Sequence, residues 1–286
     1  MMTAARNTTT SRAKKRPGVS TMCFMHHHPR FEPARHLPPI ADAGFAAIEV
    51  MLLCGVDFFD YTNPQAVDEL QRVAADLDIV IWSLHEQDIP PCIGAADTAE
   101  RQAAADEVRR VLDLAHRLGA QRIPSHLLMN PKFDVDAVEE ALMEKRAVEM
   151  LHELVPQVIA SGAKIAIENT GRRAWARPAA LARRMATLPT EAYGFVIDTG
   201  HANRMSNYDE LADLFADRLI TLHLNDNHGI NDDHLPPGKG TVDFSKIVKL
   251  LDDIGYDGCY LYEISGNPEP YQALHDTITA HRSLFA

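Results

Sequence analysis

The chain has 286 residues, 46% hydrophobic and 24% charged, with a formal net charge of −12. That composition is of a soluble globular protein able to bury one large core, and no apolar run approaches the roughly 18 residues needed to cross a bilayer. Met1–Pro17 carries five basic residues and no acid, which leaves −17 on the remainder; so acidic a body does not favour a nucleic-acid partner.

That basic segment, 1–17, reads as a disordered tail without the apolar stretch of a secretory signal. Beyond it, short apolar runs alternate with helical patterns. Strands are predicted at Gly18–Phe24, Ala46–Val50, Ile79–Leu84, Gln121–Ser125, Lys164–Ile167, Gly194–Ile197, Leu219–Leu224 and Gly258–Tyr262. Helices are predicted between and after them at Pro33–Ala43, Pro64–Leu77, Thr98–Leu118, Val135–Ala160, Pro178–Leu188, Tyr208–Phe215, Phe244–Ile254 and Tyr271–Leu284. Eight β/α units predict a parallel sheet closed into a single-domain (β/α)8 TIM barrel over 18–286. The alternative, a doubly wound open sheet, would be expected to show a G-x-G-x-x-G or Walker A pattern, and neither is present.

Metal-capable side chains recur where strands end. Strand 5 stops at Glu168, strand 6 at Asp198 with His201 three residues on, strand 7 delivers His223 and strand 8 delivers Glu263. Strands 3 and 4 end in His85 and His126, and the loop after strand 7 adds Asp232 and His234. In a barrel these ends converge on the C-terminal mouth, where active sites of this fold lie. Carboxylate and imidazole donors without thiolate suit Mn²⁺, Mg²⁺, Co²⁺ or Zn²⁺. The four cysteines (Cys23, Cys54, Cys92, Cys259) are scattered, with no CxxC pair, so a cytoplasmic location is expected. His26, His27 and His28 read as a solvated loop or the lining of the substrate mouth rather than ligands, Trp82 as core, Lys239 as a solvated loop lysine, and Trp175 as a residue able to stack on a sugar. His116, His152, His275 and His281, on predicted helices, read as surface.

The stretches Ile-Ala-Ile-Glu-Asn (165–169), Val-Ile-Asp-Thr-Gly-His (196–201) and the segment from Leu222-His-Leu-Asn-Asp through His-Leu-Pro-Pro-Gly-Lys-Gly to Gly255-Tyr-Asp-Gly resemble the xylose isomerase-like barrel superfamily. That group holds sugar and sugar-phosphate isomerases and epimerases, and also endonuclease IV. The isomerase branch implies one divalent ion on Glu168, Asp198, His223 and Glu263. Glu168 and Glu263 would then act as an acid–base pair on a sugar, keto-sugar or polyol through a metal-stabilised enediolate, with His201 on a substrate oxygen; the same constellation would serve a dehydratase. The endonuclease IV branch implies up to three zinc ions on His85, His126, Glu168, Asp198, His201, His223, Asp232, His234 and Glu263. The chain departs from that branch, with Leu127-Leu128 after His126 and Asn227-His228 after strand 7. It departs from the ketose 3-epimerases at Ala174, and in lacking an arginine shortly after strand 7. Barrels of this group often pair through their mouths, so a homo-oligomer is compatible with the resemblance.

Overall fold

The computed structural model describes residues 16–52, 57–86, 93–126, 136–170 and 177–285. Each short apolar run forms a parallel strand: β1 Pro17–Ser20, β2 Ala47–Met51, β3 Val80–His85, β4 Arg122–Ser125, β5 Lys164–Glu168, β6 Tyr193–Asp198, β7 Leu219–His223 and β8 Tyr260–Tyr262. The order is β7-β6-β5-β4-β3-β2-β1-β8. Leu224 bridges to Tyr262 and closes the ring, its N–H donating to the Leu261 carbonyl at 2.8 Å and its carbonyl accepting from Glu263 at 3.1 Å. The (β/α)8 barrel predicted from alternation is therefore the observed fold.

Helices α1 (Pro33–Ala43), α2 (Pro64–Asp76), α3 (Thr98–Leu118), α4 (Ala137–Ser161), α5 (Pro178–Met185), α6 (Thr199–Met205), α7 (Tyr208–Phe215), α8 (Phe244–Asp253) and α9 (Pro270–Leu284) cover the strands. Their starts follow local chemistry. Asn63, Asp97, Asp136 and Asp243 each accept a backbone N–H in the first turn of the following helix. The i, i+3, i+4 apolar faces turn inward, as with Val67, Leu70, Val73 and Ala74 on α2. Phe195 of β6 stacks on Phe215 of α7 at 4.1 Å between sheet and helix layer.

Four expectations change. The first strand ends at Ser20, whose hydroxyl accepts from Met22 N–H and starts a 3-10 turn over Thr21–Phe24, so an apolar run expected to be extended is coiled. A helix not predicted, α6, begins directly at the end of β6. His281 is buried, not a surface residue, and its Nδ1 lies 2.9 Å from the Tyr262 hydroxyl. Of the basic tail, Pro17 already belongs to β1 and the Arg16 carbonyl accepts from Tyr260; residues 1–15 lie outside the described residues. Pro124 lies inside β4, where a residue without an N–H is accommodated. Its carbonyl accepts from Glu86 on the β3 side, where the β3–β4 ladder has a single register pair, Ser83 with Arg122.

Candidate metal centre

The upper barrel is polar where other barrels carry stacked aliphatic layers. Glu49, Ser83, Ser125, Glu168, Asp198, His223 and Glu263 are each at most 3% exposed. Glu168, Asp198 and His223 are the last residues of β5, β6 and β7, His85 is the last of β3, and Glu263 and His126 directly follow β8 and β4. Asp198 also caps α6, accepting from His201 N–H at 2.6 Å, and this sets the His201 ring one turn above it. Asn169 and Asn225 fix Asp198 from either side. Asn169 exchanges two hydrogen bonds with its backbone, at 2.7 and 2.9 Å, and the Asn225 amide donates to Oδ2 at 2.7 Å.

The loop after β7 delivers Asp232 and His234. Asp226 anchors it: Oδ1 accepts from the N–H groups of Asn227 and Val242, and Oδ2 from those of Gly238 and Gly240, all at 2.9 Å. His234 adopts φ +47°, a left-handed conformation uncommon for a residue with a side chain. It is held there by Nδ1 on the Glu263 carbonyl at 2.8 Å and by Ser265 N–H on its own carbonyl at 2.8 Å.

All nine strand-end and loop positions singled out from the sequence converge. Glu168 Oε2 lies 3.1 Å from His223 Nδ1 and 3.3 Å from His126 Nε2, and Oε1 lies 3.0 Å from His201 Nδ1. Glu263 lies 3.4 Å from His223 Nδ1 and 3.3 Å from His85 Nε2. His201 Nε2 and His234 Nε2 lie 3.0 and 3.7 Å from Asp232. Five overlapping trios place their ligand atoms within 4.8 Å of one another: His85–His223–Glu263, His85–His126–Glu168, Glu168–Asp198–His201, Asp198–His234–Glu263 and His201–Asp232–His234. Asp198 reaches Glu168 and Glu263 through the trios containing His201 and His234, so the Glu168, Asp198, His223, Glu263 quartet shares one cluster.

Burial alone would raise the Glu168 carboxyl, but His126 and His223 outweigh it and hold it well below the ordinary carboxylate range. Glu263 is likewise drawn down to about 2 against burial, by His223 and His85. Burial, with Glu168 and Glu263 assisting and His201 opposing, pushes Asp198 up. Burial would lower His223, yet Glu263, Glu49 and Glu168 lift it well above its usual value; Asp198, Asp232 and Glu168 do the same for His201. His234 rises to about 9 against burial, through Asp232 and Glu263. So many carboxylates buried together require positive charge among them.

The donor set fits a divalent cation. Both nitrogens of His85 and His126, both oxygens of Glu168, Nδ1 of His201 and of His223, and Oε1 of Glu263 are buried and make no hydrogen bond. Buried polar atoms without hydrogen bonds are expensive, and hard oxygen and imidazole nitrogen donors gathered in trios within 4.8 Å are what such an ion accepts.

A profile of the family described as xylose isomerase-like TIM barrel matches residues 37–281. The chain belongs to the xylose isomerase-like barrels. Relatives include an uncharacterized protein of Methanocaldococcus jannaschii, 25% identical over 247 residues, 84% of this chain and 80% of that one. Among solved structures, this barrel is similar to a D-tagatose 3-epimerase-like protein (20% identity, TM-score 0.76, covering 94% of this chain and 98% of that one). It is similar to a Methylomonas sp. D-allulose 3-epimerase in complex with D-allulose (15%, 0.76, 94% and 97%). It is also similar to an IOLI protein with a bound zinc atom (18%, 0.72, 94% and 96%). At these identities the likeness to the solved barrels is one of fold.

Two site residues escaped the sequence reading. Glu49, fully buried on β2, accepts from Ser83 at 2.7 Å and pairs with His223 Nε2 at 3.2 Å. Its signal was a charge inside the apolar run Ala-Ile-Glu-Val-Met. Arg204 on α6 reaches Asp232 at 3.2 Å and had no strand-end signature. Trp175 lies outside the described residues. Trp82 sits at the opposite, N-terminal end of the barrel, its indole donating to Thr221 at 3.0 Å beneath the Arg122 guanidinium. His28 packs on His36 at 4.6 Å, away from the cluster, and Lys239 is paired with Asp276 at 2.9 Å. No helix among the described residues is long and apolar enough to cross a membrane.

Proposed function

We propose that this protein is a divalent-metal-dependent isomerase or epimerase acting on a sugar, keto-sugar or polyol. The observation that carries the reading is the pair Glu168 and Glu263, on strands far apart in the ring, both buried and both within 3.4 Å of the same His223 nitrogen. The quartet Glu168, Asp198, His223 and Glu263 would hold the ion, whose role when bound is to withdraw charge from a neighbouring carbonyl oxygen as a Lewis acid.

The chain's own groups supply the rest. Glu168, kept ionised by the imidazoles around it, takes the proton from the carbon next to the carbonyl. The proton returned from the other side comes from the His85 imidazolium, 3.3 Å from Glu263, through the Glu263 carboxylate, and Glu168 then releases the proton it took to solvent. No electrons are gained or lost overall: return to the same carbon on its opposite face gives an epimer, and return to the neighbouring carbon, with the hydroxyl proton passing to the former carbonyl oxygen, gives an isomer. If a hydroxyl leaves instead, the same pair serves a dehydratase. His201, at the rim of the quartet, would contact a substrate oxygen. The solved barrels named for D-tagatose and D-allulose epimerases, and the IOLI barrel with zinc, support this substrate and ion class. Buried free Cys23 and Cys259 suit a reducing cytoplasm.

A trinuclear zinc phosphodiesterase is the second reading. The trios His85–His126–Glu168 and His201–Asp232–His234 favour it, because each could hold an ion beside the central one. Against it stand Arg204, which already supplies a cation to Asp232, and the net charge of −12, which repels a duplex.

The test is solvent exchange. Metal-loaded protein is incubated in D2O with a panel of ketoses, inososes and their phosphates and followed by proton NMR. Deuterium entering beside the carbonyl, with a new epimer or isomer, is expected. No exchange across the panel, with cleavage of an abasic-site duplex, would establish the second reading instead.

A further inference from the structure

We propose that Glu49 is the positioning residue of this centre: its carboxylate holds the His223 ring with the proton on Nε2 and so leaves the Nδ1 lone pair free for an ion held together with Glu168 and Glu263. Glu49 is fully buried, in an interior where an unpaired charge is costly. It makes two hydrogen bonds, both on Oε2, from Ser83 Oγ at 2.7 Å and from His223 Nε2 at 3.2 Å.

A carboxylate oxygen can only accept, so the His223 nitrogen facing it must carry the hydrogen. The other ring nitrogen is then the one left to ligate. That nitrogen lies 3.1 and 3.4 Å from Glu168 Oε2 and Glu263 Oε2 and makes no hydrogen bond. Ser83 completes the arrangement, since its hydroxyl fixes the carboxylate from β3. A register irregularity between Ile48 and Glu49, which skips Trp82, brings Ser83 opposite Glu49. Three strands thus build the support for one ring: β2 gives the carboxylate, β3 its orienting hydroxyl and β7 the imidazole. A carboxylate behind an imidazole ligand fixes the ring's tautomer and orientation. Glu49 reaches the ion only through His223.

The consequence for ion binding rests on the function proposed above; the tautomer does not. Long-range proton–nitrogen NMR of ¹⁵N-labelled protein reads the His223 ring directly, in metal-free protein taken up in pH until its two nitrogen shifts report a single proton. In parallel, Zn²⁺ affinity is measured at neutral pH by competition with a chromophoric chelator. Wild-type His223 is expected as the Nε2–H form. Glu49→Leu is expected to lose that preference and to weaken Zn²⁺ roughly ten- to hundredfold. Glu49→Gln, whose amide oxygen can still accept, is expected to keep the tautomer and most of the affinity. A wild-type ring protonated on Nδ1 overturns the proposal whatever the variants do. A folded Glu49→Leu protein with wild-type tautomer and affinity overturns it as well. A wild type with the Nε2–H ring that takes up no Zn²⁺ overturns the proposed function and leaves the positioning role standing.

Discussion

Asp226 offers the sharpest test of how the sequence builds the mouth of this barrel. Its two oxygens accept four backbone N–H groups, from Asn227, Gly238, Gly240 and Val242. These bonds fold the loop that brings Asp232 and His234 to the cluster. Asp226→Asn keeps the shape but turns one oxygen into an NH2 group, which then faces two N–H donors. Two hydrogen bonds are lost and two donors are left opposed in a buried site, a loss of about 2–4 kcal/mol. For a domain of this size that is a fall in Tm of roughly 5–10 °C. Thermal unfolding and urea titration read it, with the midpoint lowered and the m-value unchanged. Zn²⁺ affinity should fall too, because Asp232 and His234, which pack against the quartet, lose their anchor. A variant melting within about 1 °C of wild type would refute the view that Asp226 organises this loop.

Three other outcomes follow. Glu168→Gln should abolish turnover while leaving the fold intact by circular dichroism, since it removes both a ligand and one member of the proton-transferring pair. Phe195→Ala empties the stack against Phe215 and should cost about 3–5 kcal/mol in urea unfolding, without changing bound metal per folded chain. In EDTA, stability should follow pH through the cluster. His234, raised from 6.5 to about 9, contributes fully below about 6.5 and loses its contribution as pH rises through 9. Glu263, lowered from 4.5 to about 2, contributes above 4.5 and loses its contribution as pH falls through 2. The metal-free Tm should therefore be highest between about pH 4.5 and 6.5 and fall toward pH 9, and a Tm rising over that alkaline interval would contradict the charge assignments.

What could be read in advance, and what could not, has a physical pattern. Glu168, Asp198, His223 and Glu263 were legible because each interrupts an apolar run at its end, and a barrel sends all such ends to one mouth. Glu49 was not, because its run continues through Val50 and Met51, and only the opposing Ser83 and His223 make a charge there tolerable. Helix α6 was invisible because Asp198 ends a strand and caps a helix at once, leaving no turn residues between them. The 3-10 turn at Thr21–Phe24 was read as strand because burial makes the segment apolar whichever way the backbone coils. His281 was misplaced because a helix pattern does not reveal that a ring on its inner face has Tyr262 to bond.

A cation among the buried carboxylates is read most directly by metal content. Protein stripped with chelator and dialysed against Mn²⁺, Co²⁺, Zn²⁺ or Mg²⁺ should retain at least one ion per chain for one of these metals, raise its Tm on loading, and lose that ion in Glu168→Gln. Protein that takes up none of the four, and melts at one temperature with or without them, would contradict it.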